Sequence, residues 1–280
     1  MSPLLSIVIA NYNYGHFLET AIRSVVDQEG FAQCELIVVD GGSTDNSVEI
    51  IKKYADKISW WCSEKDKGQS DAFNKGFAHA RGKYGCWLNA DDMLMPNALC
   101  AIIRYVVNYP RAEWVGGSSV FVDSGLNVMW CSRCVHAIGF HERYIPSYSV
   151  NGPSSFFLIE NLWRVGGFDL ELRYTMDIDL WRKFISIGVR LLHVKEYIWC
   201  FRIHEESKTS HRFTTGKSNS EFAKECYNCN MRYGITPFRN RLGSFCNRLL
   251  RLLSGAYLFS YYDTIRYRGH PISRITDTKE

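Results

Sequence analysis

The sequence has no apolar stretch that approaches the length of a bilayer span, so no membrane-crossing helix is expected. No basic segment with a cleavage site precedes the first apolar run at Leu5, so no secretory leader is expected and the expected location is the cytoplasm. Internal repeats and low-complexity segments are absent, which argues against solenoids and linker-like chains. The loop after the first apolar run, Asn11-Tyr12-Asn13-Tyr14-Gly15-His16, lacks both clustered glycines and Lys or Arg. A nucleotidyltransferase would use such a Gly-rich, basic loop to hold a triphosphate. The ten cysteines include two Cys-x-x-Cys pairs, Cys131/Cys134 and Cys226/Cys229, too far apart for a compact zinc ribbon. Reduced thiols are the expectation, ahead of a structural zinc or a disulfide framework.

What is present is a 280-residue chain, 46% hydrophobic, enough for one α/β domain with an appendage. Leu5 to Ala10, Leu36 to Val39, Ile58 to Trp61 and Tyr84 to Leu88 read as short buried strands. Between them lie amphipathic helices, such as Leu18, Ala21, Ile22, Val25 and Val26 on one face. Strand–helix alternation implies βαβ units, a mostly parallel, Rossmann-like sheet flanked by helices, and right-handed crossovers. Polar residues gather where three of these strands end: Asn11 and Asn13, Asp40, and Asn89 with Asp91 and Asp92. Open α/β sheets bind ligands at that edge. Clustered hard oxygen ligands there suit a divalent metal that holds a phosphate; the bland alternative is a loop with a helix cap.

The strings Ser6-Ile7-Val8-Ile9-Ala10-Asn11-Tyr12-Asn13, Val38-Val39-Asp40-Gly41-Gly42-Ser43-Thr44-Asp45 and Leu88-Asn89-Ala90-Asp91-Asp92 resemble the family 2 glycosyltransferases. So do Asp66-Lys67-Gly68-Gln69-Ser70-Asp71-Ala72-Phe73-Asn74-Lys75-Gly76, Gly166-Gly167-Phe168-Asp169 and Asp177-Ile178-Asp179-Leu180-Trp181. The resemblance spans about residues 4–210 and implies a GT-A fold, a nucleotide-sugar donor (a UDP-sugar foremost), Mn²⁺ or Mg²⁺, and inversion at the anomeric carbon. It places Asn11, Tyr12, Asn13, Asp40, Gly68, Asp71, Asn89 and Ala90 around the donor nucleotide. Asp40 would accept a hydrogen bond from base or ribose. Asp91 falls on the second acid of the family's Asp-x-Asp motif, the usual metal ligand. The first acid is replaced by Asn89, so the metal is expected to bind mainly together with the donor diphosphate. His204, after the apolar run Tyr197 to Ile203, is a further candidate metal ligand, with a core or surface histidine as the alternative. Arg202 is a candidate phosphate contact on the same side of that strand.

Asp177, Leu180, Trp181, Phe184 and Ile185 fall at i, i+3, i+4, i+7 and i+8, so Asp177 opens the buried stripe of a helix after Thr175. Asp179 lies about 200° round, with Lys183 four residues on, as for a surface ion pair. The resemblance puts the catalytic base here; an apolar neighbourhood favours Asp177, with Asp179 as alternative. Residues 123–150 read as irregular, and the resemblance puts the acceptor side here, with Ser154, Ser155, Trp163 and Trp181 as candidates.

The expected division is a transferase domain over 1–215 and a basic, amphipathic helical tail over 216–280. Residues 237–280 hold eight Lys and Arg against three acids, a larger excess than the whole chain's +4. Leu242, Phe245, Leu249, Leu252, Leu253 and Ala256 form a helical stripe beside Arg241, Arg248 and Arg251. That stripe would lie on an anionic membrane, pack on the core or form a homodimer. No nucleic-acid motif accompanies the basic charge. The functional expectation is transfer of a sugar to a saccharide acceptor, lipid-linked, in surface-polysaccharide synthesis. A nucleotidyltransferase and a non-catalytic sugar-nucleotide binder are the rival readings.

Overall fold

A computed structural model describes residues 2–135, 152–207 and 220–276. Four parallel strands begin the chain: β1 (Leu5–Asn11), β2 (Cys34–Asp40), β3 (Ile58–Ser63) and β4 (Tyr84–Asn89). They alternate with helices α1 (Gly15–Val26), α2 (Ser47–Lys53) and α3 (Gln69–Ala78). There follow β5 (Met93–Leu94), α4 (Ala98–Asn108), β6 (Trp114–Val122), β7 (Val128–Ser132), β8 (Ser155–Leu158), α5 (Ile159–Arg164), α6 (Met176–Ser186) and β9 (Leu191–Arg202). Described strands join in one mixed sheet of order β3-β2-β1-β4-β8-β6-β9-β5, with β7 paired to β6.

The apolar runs are continuous because the sheet is covered on both faces. Alternation along β1 divides it between two cores. Leu5, Ile7 and Ile9 face a cluster built with α1 and α4, whereas Val8 faces Phe73, Phe77, Trp87 and Trp181 from the side of α3 and α6. Leu18, Ala21, Ile22 and Val25 of α1 are fully buried, as the spacing requires. Each such Leu, Ile or Val burial is worth about 1.5–3 kcal/mol. At Gly76 a Cβ would fall 2.3 Å from Val8 Cγ1, so glycine lets α3 lie directly on the sheet.

One expectation needs revision. Residues 123–150 are not wholly irregular: Val128–Ser132 form β7, antiparallel to β6, while residues 136–151 lie outside the described set. Among the described residues the tail is helical, as expected: α7 (Ser220–Arg232), α8 (Pro237–Leu253), α9 (Ala256–Tyr267) and α10 (Ser273–Thr276), with α9 against β7. No helix among the described residues is long and apolar enough to cross a membrane.

Candidate active site

The parallel strands end together: Asn11 stands opposite Asp40, and Ala10 opposite Asn89. Asp40 is fully buried. Its Oδ1 accepts from Asn11 Nδ2 at 2.7 Å and Ser43 Oγ at 2.5 Å. Its Oδ2 accepts from Ser43 N at 2.9 Å and Ser63 Oγ at 2.6 Å. A carboxylate offers about four acceptor positions, and here all are taken. In this structure Asp40 organises the loop that the resemblance places at the donor base. Asn13, at φ 54°, extends the same framework by accepting from Thr44 N at 2.8 Å. Tyr12 is 61% exposed, so its ring is open to a ligand. A Cβ on Gly41 would lie 2.7 Å from Asp66 Oδ2 and 3.3 Å from Tyr12 Cδ2, which shows how closely the two loops meet.

Gly68, at φ 115°, turns the chain into α3 where Lys67 N donates to Asp71 Oδ2 at 3.0 Å. Gln69, not singled out from sequence, donates to Asn89 Oδ1 at 2.6 Å, and Asn89 Nδ2 donates to Asp92 Oδ2 at 2.8 Å. Its position directly after Gly68, at a helix start facing the strand ends, was the available signal. Ala90 is buried and donates its N–H to Ala10 O at 3.2 Å, fixing the turn that carries the acids. Asp92 is fully buried; burial first, then the charge of Asp91, pushes its carboxyl well above the usual range.

Asp91 Oδ2 lies 3.1 Å from His204 Nε2, although the two are 113 residues apart. The turn after β4 supplies one and the end of β9 the other. Phe17 packs 4.5 Å from the His204 ring, and the Arg202 guanidinium sits 4.7 Å above Phe17. Arg202 is buried, its pKa is lowered by burial, and its Nε has no partner among the described residues. A carboxylate and an imidazole fit Mn²⁺ or Mg²⁺ when the donor's phosphates complete the shell, because these ions take few protein ligands at phosphate sites. His204 Nδ1 is buried without a described partner, so the contact of Nε2 with Asp91 is the ring's polar anchor. No group of three or more His, Cys, Asp or Glu assembles among the described residues.

The helix α6 reaches this region through Met176, whose sulfur contacts Ser70 Oγ at 3.6 Å, one residue beyond Gln69. Asp177 follows in the first turn. It is partly buried, and burial pushes its pKa up to about 6. Asp179 corrects the sequence reading, because it is not a surface ion pair. It is 1% exposed, with Lys183 Nζ at 2.8 Å and Tyr233 donating to Oδ1 at 2.7 Å. The tail causes this. Helix α7 covers the flank of α6, and Glu225 on α7 accepts from the N–H groups of Arg173 (3.1 Å), Tyr174 (2.8 Å) and Thr175 (2.7 Å) and from Thr175 Oγ1 (2.8 Å). Burial raises the Glu225 pKa, but these hydrogen bonds outweigh it and hold the group below its ordinary value. Asn74 pins the Gly166-Gly167-Phe168-Asp169 turn, donating to Phe168 O and accepting from Phe168 N, both at 2.8 Å.

Three acceptor candidates are also corrected. Ser154 and Ser155 are fully buried, because Ser155 enters β8 opposite Gly116. Trp181 is 1% exposed and stacks between Trp87 at 5.1 Å and Trp114 at 4.5 Å in the core. Trp163, on α5, is 43% exposed.

The mixed sheet, with polar side chains converging where its parallel strands end, is that of a GT-A nucleotide-sugar transferase. Residues 6–164 match the family model for glycosyl transferase family 2, and the chain belongs to that family. An uncharacterized glycosyltransferase of Rickettsia typhi is 30% identical over 223 residues, 75% of this chain and 67% of that protein. The putative glycosyltransferase EpsE of Bacillus subtilis is 25% identical over 78% of this chain and 80% of its own. Two solved structures share the fold at 17% identity and a TM-score of 0.63 each. S. aureus TarS 1–349, in complex with UDP-GlcNAc, matches over 81% of this chain and 66% of its own. The mannosyltransferase PcManGT of Pyrobaculum calidifontis, in complex with GDP-Man and Mn²⁺, matches over 99% and 79%. The chain is a glycosyltransferase.

Proposed function

We propose that this enzyme moves a sugar from a nucleotide-diphosphate donor, a UDP-sugar, to a hydroxyl of a lipid-linked saccharide, with inversion, in surface-polysaccharide synthesis. The observation that carries the proposal is Asp177: a carboxylate open enough to meet a substrate, with a pKa near 6, on a helix that meets the donor-site loop at Ser70. A base is most effective when its pKa lies near the working pH. TarS, solved with UDP-GlcNAc and with UDP, supports a uridine donor; the mannosyltransferase, solved with GDP-Man and Mn²⁺, supports a nucleotide-diphosphate sugar of either base and a divalent ion. We place the enzyme in the cytoplasm, on the strength of ten cysteines in a protein of this class, at the inner face of the membrane where a lipid-linked acceptor resides.

Tyr12 and the loop held by Asp40 receive the nucleotide. The Asn89–Gln69 pair presents amide groups to the ribose or diphosphate, and Arg202 offers its unpaired Nε–H to a phosphate. Asp91 and His204 would hold Mn²⁺ or Mg²⁺, which when bound supplies positive charge for the departing diphosphate. Asp177 takes the proton of the acceptor hydroxyl as that oxygen bonds to the anomeric carbon and the carbon–diphosphate bond breaks on the opposite side. Positioned base assistance is typically worth about 10²- to 10⁴-fold.

The test is a panel of nucleotide sugars, with and without Mn²⁺, read by thermal stabilisation and nucleotide release. Metal-dependent release from one sugar donor supports the proposal. Stabilisation by donors with no turnover under any condition would identify a non-catalytic binder, and pyrophosphate release from a nucleoside triphosphate a nucleotidyltransferase.

A further inference from the structure

Helices α8 and α9 make a hairpin, joined at Ser254 and Gly255, where φ of 72° permits the left-handed turn. One stripe of α9 is fixed to the transferase sheet: Ala256, Ser260, Asp263 and Tyr267, spaced i, i+4, i+7 and i+11, are its buried residues. Ser260 Oγ and Thr264 Oγ1 each accept at 2.9 Å from a backbone N–H of the β7 segment, those of Arg133 and Cys131. Asp263 accepts from Arg133 Nε at 2.8 Å and from Tyr197 OH at 2.5 Å. The hairpin is therefore held by a largely buried polar network.

Much of the rest of the hairpin is exposed. Most of the stripe read from sequence does not pack on the core: Leu242 (44%), Phe245 (63%), Leu249 (43%), Leu252 (66%) and Leu253 (75%) are exposed, as is Phe238 (75%), whereas Ala256 is buried, and Gly243 is the buried residue of α8. On α9, Leu258, Tyr261 and Ile265 are 63–68% exposed on one face. An apolar surface of this extent on a water-soluble domain marks a partner site.

Charge selects the partner. Between Pro237 and Tyr267 there are five arginines, Arg239, Arg241, Arg248, Arg251 and Arg266, and the sole acid is Asp263, which is buried against Arg133. A two-fold dimer through this face would bring ten arginines together with no exposed acid to pair them, and like charges in contact are costly. An anionic bilayer meets both demands, with acyl boundary for the apolar side chains and lipid phosphate for the guanidinium groups.

We propose that the α8–α9 hairpin is a docking surface for an anionic membrane. It brings the transferase to the plane in which a lipid-linked acceptor lies; that benefit rests on the function proposed above, whereas the docking itself does not.

The test uses the full chain and the variant Leu252→Glu/Leu253→Glu/Leu258→Glu, whose side chains are exposed and far in sequence from the catalytic residues. Both are sedimented with vesicles of phosphatidylglycerol in phosphatidylcholine and with phosphatidylcholine alone. The full chain is expected to bind the anionic vesicles, to release with rising salt, and to lose at least about tenfold in partition in the variant, because inserted apolar area sets the strength of such binding. The variant keeps its melting temperature and its donor hydrolysis in solution. Equal sedimentation of both proteins, or absence of salt-sensitive binding, overturns the proposal. So does a dimer of the full chain that the variant dissolves, which would assign the face to a second copy. Failure of the transferase reading has a separate signature, because the full chain would then turn over no nucleotide sugar with or without vesicles.

Discussion

Asp177→Asn is expected to make the protein more stable and nearly inactive in one step. An unfolded aspartate titrates near 3.9, whereas burial holds Asp177 at about 6. The folded state thus binds the proton more tightly, so this group's contribution is best at low pH and is lost as pH rises between the two values. About two pKa units correspond to roughly 3 kcal/mol. Partial exposure screens the charge, so about 1–2 kcal/mol is the expected penalty at pH 7.5. Asparagine cannot ionise and removes it. At roughly 2–4 °C per kcal/mol the variant should melt several degrees above the parent at pH 7.5. The gap should narrow toward pH 4, where the folded carboxyl is protonated and the unfolded one is about half so. Transfer should fall by at least about 10²-fold, and the parent's rate should decline on the acid side below about pH 6. Melting curves from pH 4 to 8, paired with initial rates, measure both effects. An unchanged melting gap across that range, or retained activity, would refute the assignment.

Asp179→Asn should act oppositely. It breaks a buried pair with Lys183 and should cost about 3 kcal/mol in urea unfolding, the low end for such pairs, because Lys183 also donates to Gly167 O at 3.1 Å. Its folded fraction should lose much less rate than Asp177→Asn. Glu225→Ala leaves three N–H groups before α6 without their acceptor; kcat should drop with donor KM unchanged, and Glu225→Gln should restore part of it. Asp91→Ala, like excess chelator, should abolish transfer; the variant should also lower the urea midpoint, because it strips buried His204 of its polar anchor, whereas chelator should not; full activity in either case would remove Asp91 from the metal site.

The first four strands and their helices were legible because each strand is a short apolar run and each helix a one-sided stripe. The corrections come from contacts between distant segments. Periodicity gave the buried side of α6 through Leu180, Trp181 and Phe184. It could not show that α7, some fifty residues later, would close over Asp179 with Tyr233 and cap the helix with Glu225. An acid at the end of β2 was plain, but Ser43 and Ser63 filling its acceptor positions depended on how two loops meet. Trp181 was read both as part of the buried stripe and as an acceptor candidate; stacking with Trp87 and Trp114 keeps it in the core. The pairing of Asp91 with His204 required β5 and β9 to lie side by side, which no local pattern encodes.

The central claim is a single displacement driven by one base, and the anomeric configuration of the product tests it most directly. Transfer from the donor found in the nucleotide-sugar panel, followed by NMR of the isolated glycoside, should give the configuration opposite to the donor, with no product from Asp177→Asn although that variant still binds the nucleotide sugar. A product that keeps the donor's configuration, or one formed by Asp177→Asn at the parent's rate, would contradict it.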